Sequence, residues 1–227
     1  MDPKLEVGLA AAAQVKSGMM VGLGTGSTAY HFIVEVARRH KEEGLDIQCV
    51  SSSFSSSILA RDLGLPLVSL DQVDGVDIYA DGADEVDPQK RLIKGRGAAM
   101  VREKLLVAMS SLFLTIVDAG KLVNRLGEKF PVPVEVLPFA WRPVQKALLA
   151  LGATKADLRP ATGKDGPVIT DQGNLVLDAF FPSALAVAGM DEALNALPGL
   201  VDHGLFCAYT GKTRVLIATP KGVEVRD

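Results

Sequence analysis

The chain has 227 residues, 48% of them hydrophobic and 22% charged, with a formal net charge of −3. That composition suits one large α/β domain, or a main domain carrying a smaller one, and excludes a disordered chain. The acidic balance gives no electrostatic ground for a nucleic-acid partner, and two cysteines are too few for a disulfide framework.

The start, MDPKLEV, is acidic where a signal peptide is basic. No uninterrupted apolar run approaches the ~20 residues that span a bilayer, so a cytoplasmic protein with no membrane partner is expected. Pro3 opens a helix over 3–16, which Gly18 stops. MMVGL at 19–23 reads as a short strand, followed by a glycine turn and a helix over 28–43 that ends at Gly44. IQCV at 47–50 is a second strand, and the serine-rich turn SSSFSSS at 51–57 leads into a short helix closed by Gly64. Apolar strands at 67–68 and 76–80, a helix over 98–110 and the strand LFLTIVD at 112–118 continue the alternation. Short buried strands alternating with helices predict a mostly parallel sheet covered on both faces.

The pattern changes at Pro131. Strand 131–136, helix 139–151, strand 153–159, strand 174–178, helix 183–194 and strand 199–206 follow one another, which is the β-α-β-β-α-β order of a ferredoxin-like unit. RVLIA at 214–218 is another buried-type strand, suited to rejoining the main sheet. The expected organisation is therefore a main α/β domain over 1–130 plus 207–227, with a small α+β domain inserted at 131–206.

Two segments carry chemistry. In GLGTGST, 22–28, three glycines sit between a strand and a helix, where backbone N–H groups and the helix terminus favour an anion. Thr25, Gly26, Ser27 and Thr28 form the donor-rich part of that turn. A dinucleotide site fits poorly, since the third glycine of G-x-G-x-x-G is absent and the second strand ends in serines without a carboxylate. A phosphate cradle is the functional reading, and a structural turn with a helix cap is the bland one.

The second segment, DGADEVDPQKRLIKGRGAAMVRE at 81–103, combines two close carboxylates, a lysine on a glycine-rich turn and a further carboxylate. Asp81 and Asp84 follow a buried-type strand, and open α/β sheets place ligands at such carboxyl ends. Read blandly, they form a solvated acidic turn bent at Gly82. Lys94 lies in KGRG, where Gly95 and Gly97 clear space for a ligand and the ammonium can steady a developing oxyanion. Otherwise it is a surface lysine before a helix. Glu103 falls on the row Ala99–Glu103–Val107, toward the apolar side of its helix, where a carboxylate can serve as a general base near neutrality. Asp118 ends a strand, and Lys121 just beyond is a second candidate cation. The scattered histidines and cysteines show no metal-ligand spacing and the acidic loop is not an EF-hand, so neither metal nor cofactor is expected. Trp141, Phe139 and Leu148 read as packing residues, Ser53 and Ser55 as helix entry, Asp171–Asn174 as a hairpin turn, and Cys49 and Cys207 as buried thiols.

These stretches together resemble the A-type ribose-5-phosphate isomerases over essentially the full chain. The matching motifs are GLGTGST at 22–28, DGADEV at 81–86, KGRGAA at 94–99 with REK at 102–104, VDAGK at 117–121, PVEV at 133–136 and TDQGN at 170–174. The resemblance implies a Rossmann-like main domain, a smaller α+β domain and assembly as a homodimer or homotetramer. It also implies a pentose 5-phosphate as substrate, interconverted between D-ribose and D-ribulose forms through an enediol(ate). In that alignment Thr25, Gly26, Ser27 and Thr28 correspond to the phosphate turn, and Lys4 to a lysine of the first helix that reaches the phosphate. Asp81, Gly82, Ala83 and Asp84 correspond to one substrate loop, and Lys94, Gly95, Arg96 and Gly97 to another. Glu103 corresponds to the catalytic base and Lys121 to a substrate-binding lysine. Asp81 is the candidate for assisting ring opening, with Asp84 holding the polar network around the sugar and Lys94 facing the developing charge. Two departures stand out: KGRG replaces the usual KGGG, which puts Arg96 beside the loop, and TDQGN replaces TDNGN. A related sugar-phosphate isomerase or deaminase, and a non-catalytic sugar-phosphate sensor, are the competing readings.

Overall fold

The structure, a computed structural model, describes residues 2–181 and 187–227. In chain order its elements begin with α1 (Pro3–Ala12), β1 (Met20–Leu23), α2 (Ser27–Glu42), β2 (Gln48–Ser51), α3 (Phe54–Asp62) and β3 (Val76–Asp81). There follow β4 (Glu85–Val86), β5 (Leu92–Ile93), α4 (Met100–Met109), β6 (Ser110–Asp118), β7 (Val132–Val136) and α5 (Trp141–Ala150). The remainder is β8 (Lys155–Leu158), β9 (Leu175–Phe180), α6 (Val187–Asn195), β10 (Leu200–His203), β11 (Leu205–Phe206), β12 (Thr213–Thr219) and β13 (Gly222–Arg226). The chain divides into two compact units, one of Met1–Ala83, Arg102–Lys121 and Tyr209–Asp227, the other of Asp84–Val101 and Leu122–Ala208.

The first unit is built on a six-stranded sheet in the order β13-β12-β6-β3-β1-β2. Every neighbouring pair is parallel except β12 with β13. Nearly continuous burial along β1 and β3 is what a parallel sheet covered on both faces demands. Val21, Leu23, Ile78, Leu114, Ile116 and Leu216 fill its core together with Phe32, Ile33 and Val36 of α2. Those α2 residues, with Ala29 and Ala37, repeat at helical spacing on one face, while exposed Arg38 pairs with half-buried Glu35 and exposed Glu42. α1 lies close on α2 because Gly8 has no side chain: a Cβ there would come within 2.7 Å of His31 Cβ. As expected, the RVLIA segment returns to this sheet, with β12 parallel to β6 from Thr213–Phe113 to Ala218–Asp118.

Several elements differ in detail from the sequence reading. The first helix ends at Ala12, short of residue 16. Residues 67–68 contribute one bridge, Leu67 to Cys49, and no strand. α3 starts inside the serine cluster, with the Ser53 side chain accepting from Ser56 N as an N-cap. Cys49 is buried, and burial pushes its thiol up to about 12, whereas Cys207 is only half-buried.

In the second unit β7, β8, β9 and β10 form an antiparallel sheet ordered β10-β7-β9-β8. That fourth-first-third-second order, with α5 and α6 in the crossovers, is the ferredoxin-like arrangement its element order predicts. Of the helix expected at 183–194, residues 183–186 lie outside the described residues. The core is formed by Val132, Val134, Val136, Val144, Leu148 and Leu177 with Ile93 and Leu205. Trp141 packs against it, but Phe139 is 84% exposed, so the packing role expected of Phe139 is not met. A further sheet, β11-β5-β4, was not signalled by any pattern. The single strand expected over 199–206 breaks at Gly204, so that β10 pairs with β7 and β11 with β5. A Cβ on Gly204 would lie 2.2 Å from the Lys94 carbonyl oxygen and 2.5 Å from Pro133 Cδ, so the crossing requires glycine.

Candidate active site

In the first unit, three neighbouring parallel strands, β1, β3 and β6, run side by side and end before Gly24, at Asp81 and at Asp118. Strand order reverses beside β1, whose successor β2 lies on one side and β3 on the other, a topological switch point of the kind where open α/β sheets bind ligands. The turn after β1 leads into α2 through Gly26, at φ +104°, with no side chain capping the helix. The first N–H groups of α2 are thus left without a side-chain cap, as an anion site requires. Thr25 Oγ1 hydrogen-bonds Ser52 Oγ and Ser53 Oγ, each at 2.7 Å, and Lys4 Nζ donates to Ser27 Oγ at 2.9 Å. A cavity of ≈ 420 Å³ is lined by Gly24, Thr25, Gly26, Ser27, Tyr30 and His31, among others. Thr28 follows, half-buried, in the first turn of α2.

Asp81 ends β3 and is 1% exposed. Its Oδ1 accepts from Thr25 N at 3.0 Å and from Gly82 N at 2.8 Å, while Oδ2 accepts from the Tyr79 hydroxyl. Gly24 has to be glycine here, since a Cβ would sit 2.5 Å from both Ala80 O and Asp81 Cγ. Tyr79 is fully buried and stacks on Phe113 with ring centroids 5.2 Å apart. Burial, reinforced by the charges of Asp81 and Glu103, holds its phenol well above the ordinary value, so it stays neutral and donates. Glu103, in the first turn of α4, is 4% exposed. Beyond β6, Asp118 Oδ1 accepts from Gly120 N at 2.8 Å and closes a short turn, Ala119–Lys121, that presents half-buried Lys121. Gly82 and Ala83 are half-buried beside Asp81.

The second unit holds the remaining candidates. Asp84 N donates to Ile93 O at 2.8 Å, and Asp84 Oδ2 accepts from Arg96 N at 3.0 Å, which ties the acidic loop to KGRG. Lys94 is 3% exposed, with its ammonium 5.6 Å from the centre of the Phe206 ring. Gly95, at φ +107°, makes the turn, and Gly97 is exposed. Arg96 is exposed and places its guanidinium 5.7 Å from the Phe130 ring centre, so this departure from KGGG adds a cation–π contact. Two motif residues turn out to be anchors. Glu85 accepts from Gly127 N, Lys129 N and Phe130 N, pinning the 127–130 loop. Glu135 Oε1 accepts from Thr170 Oγ1 at 2.8 Å and Asn174 Nδ2 at 2.9 Å, which joins PVEV to TDQGN.

Sequence reasoning passed over Tyr79 and Ser52, which complete the polar network around Asp81 and Thr25. The alternation of a strand was a usable signal, because Tyr79 and Asp81, two apart, share a face. Among the described residues no group of three or more His, Cys, Asp or Glu is placed to hold a metal ion, and no helix is long and apolar enough to cross a membrane.

A parallel-sheet switch point with an uncapped helix start, beside buried carboxylates, defines an α/β enzyme of small anionic metabolites. A sequence profile described as ribose 5-phosphate isomerase A (phosphoriboisomerase A) matches residues 48–222. The ribose-5-phosphate isomerase A of Thermosynechococcus vestitus is 53% identical over 205 residues, covering 89% of this chain and 86% of its own. That of a Synechococcus species is 49% identical over the whole of both chains. Among solved structures, ribose 5-phosphate isomerase A from Methanocaldococcus jannaschii superposes with a TM-score of 0.93 at 44% identity, covering 100% of this chain and 98% of that one. A D-ribose-5-phosphate isomerase in complex with phospho-erythronic acid gives 0.95 at 40% identity with the same coverage. The chain belongs to the ribose 5-phosphate isomerase A family.

Proposed function

We propose that the protein interconverts D-ribose 5-phosphate and D-ribulose 5-phosphate by proton transfer through an enediol(ate). The observation that carries the reading is Glu103, a carboxylate removed from water in the same unit as the uncapped turn of α2. Thr25, Gly26, Ser27 and Thr28 take the phosphate, with Lys4 adding charge through Ser27. The phosphate undergoes no chemistry; its binding energy orients the other end of the sugar.

Asp81 assists opening of the furanose ring. Three donors, Thr25 N, Gly82 N and the Tyr79 hydroxyl, fix the orientation of its carboxylate at the end of β3. Asp84, with Gly82, Ala83, Gly95, Arg96 and Gly97, shapes the loops around the sugar, and Lys121 adds a cation. In the open aldose Glu103 takes the proton from C2. The C2–H electrons form the C1–C2 double bond, and the carbonyl pair moves onto O1, whose charge Lys94 stabilises. Return of the proton to C1, with the O2–H electrons forming the C2 carbonyl and the O2 proton passing to O1, leaves the 2-ketose. Phospho-erythronic acid, a phosphate and a carboxylate on one short chain, presents the same pair of charges and is expected to inhibit. The working form is a homodimer or homotetramer in the cytoplasm.

Conversion of ribose 5-phosphate by purified protein in EDTA, with Glu103→Gln alongside, tests the reading. The wild type should turn over, and the variant should lose ~10²–10⁴-fold in kcat while inorganic phosphate still inhibits, because the amide cannot carry the proton. A Glu103→Gln enzyme with near-normal kcat removes Glu103 from the base role. A folded wild type without turnover rejects the isomerase.

A further inference from the structure

We infer that Arg159, braced by Asp178, is a positioning residue for the loop that carries Lys94. The inference rests on the reading of Lys94 as the group that meets the developing charge. Arg159 lies just beyond β8, with its side chain largely buried. One edge of its guanidinium is forked onto a carboxylate: Nε donates to Asp178 Oδ2 at 2.9 Å and Nη2 to Asp178 Oδ1. From the other edge Nη1 donates to two consecutive loop carbonyls, Gly95 O and Arg96 O, both at 2.9 Å. The arginine backbone is itself fixed, with Arg159 N donating to Val176 O and Val168 N to Arg159 O, each at 2.8 Å.

The loop needs such an external tie. Gly95 and Ala98 both have positive φ, +107° and +57°, and a non-glycine residue such as Ala98 is strained there, so it persists only where surroundings over-determine it. The loop closes on itself through Ala98 N donating to Gly95 O at 3.0 Å. Lys94 is fixed on its N-terminal side by its N–H donating to Gly204 O at 2.9 Å. On its C-terminal side, the next two carbonyls go to Arg159, and the intervening N–H of Arg96 goes to Asp84. The peptide planes that aim Lys94 are therefore held from both directions. The planar guanidinium holds its donors in a fixed fork that faces a carboxylate on one edge and two carbonyls from the other, whereas a lysine ammonium is a compact point charge with rotatable donors. The pairing was beyond sequence reading, because it depends on where β8 registers against β9.

Arg159→Met, Arg159→Lys and Asp178→Asn, compared with Lys94→Gln, test the inference. For each, kcat, KM for ribose 5-phosphate, inhibition by inorganic phosphate and by phospho-erythronic acid, and Tm are measured. Misplacing a charge-stabilising group by about an ångström costs on the order of 10²-fold, so Arg159→Met should lower kcat roughly 10–100-fold with KM and phosphate inhibition changed less than about threefold. Phospho-erythronic acid should weaken in step with kcat, Arg159→Lys should recover only part of the loss, and Asp178→Asn should show the same split more weakly. If Arg159→Met does not fold, the Lys and Asn variants carry the comparison. Loss of kcat in Lys94→Gln alongside normal kcat in the folded Arg159 and Asp178 variants, with only Tm lowered, overturns the clamp and leaves the reading of Lys94 intact. Normal kcat in Lys94→Gln overturns both.

Discussion

At Asp81 three donors converge on one buried carboxylate, and each comes from a different part of the local chain: Thr25 N from the phosphate turn, Gly82 N from the next residue, and the Tyr79 hydroxyl from within β3. Thr25 in turn shares Ser52, so the turn after β1 and the acidic loop after β3 are parts of one polar network. Buried networks of this kind fix geometry when every member is satisfied, and cost stability when one is removed. Tyr79→Phe keeps the ring stacked on Phe113 but deletes one donor to the buried Asp81 side chain. It is expected to destabilise the folded chain by about 1–3 kcal/mol, read from urea unfolding, and to lower kcat for the isomerisation. Unchanged stability and kcat would mean that Asp81 does not depend on the phenol. The acid–base candidates were picked out by different signals: Asp81 and Lys94 stand beside glycines at strand ends, and Glu103 lies on the apolar row of its helix. Tyr79 was hidden by its chemistry, since a phenol in the run VDIYA reads first as apolar filling.

The elements that could be read from sequence are those whose burial is periodic. α2 shows its helical stripe, β1, β3 and β6 their apolar runs, and β12 its return to the sheet. The two-residue strands β4, β5 and β11 carry no period, and their pairing depends on where Gly204 lets the chain cross. β13 escaped notice because three of its five residues are half-exposed and the other two exposed. The PVEV and TDQGN motifs were legible as family marks and as a hairpin, but not as partners. Glu135 of β7 meets Thr170 and Asn174, and its second oxygen, Oε2, is buried without a hydrogen bond among the described residues. Burial holds this carboxyl above its ordinary value of 4.5, and the two donors only partly oppose that. The folded chain therefore keeps a proton that the unfolded chain has already released. The stability Glu135 contributes is full below the ordinary carboxyl value and falls as pH rises through the native one. Between about pH 4 and pH 7 the wild type should lose stability relative to Glu135→Gln, whose side chain cannot ionise. Chemical unfolding of both proteins across that range checks it, and a gap that stays flat or moves the other way overturns the assignment.

The two units are not consecutive in the chain, and this has a thermodynamic consequence. One is assembled from three segments and the other from two, so the backbone passes between them at 83/84, 101/102, 121/122 and 208/209. The segments 84–101 and 102–121 are short excursions whose ends are held by the other unit, and α4 itself is divided between the two. Ile93, on one such excursion, is in the core of the second unit, and β5, which ends with it, is the partner of β11. Losing structure in either unit releases the ends of the other's segments, and the entropy of closing those loops must then be met again. Folding is accordingly expected to be cooperative across the whole chain. The single tryptophan, Trp141, packs against the core of the second unit and reports on it alone, whereas far-UV circular dichroism sums over both. In a urea titration the two signals should give one transition with the same midpoint and the same slope. A fluorescence transition resolved from the dichroism transition would show instead that the second unit melts independently, and that its interleaved segments close without help from the first.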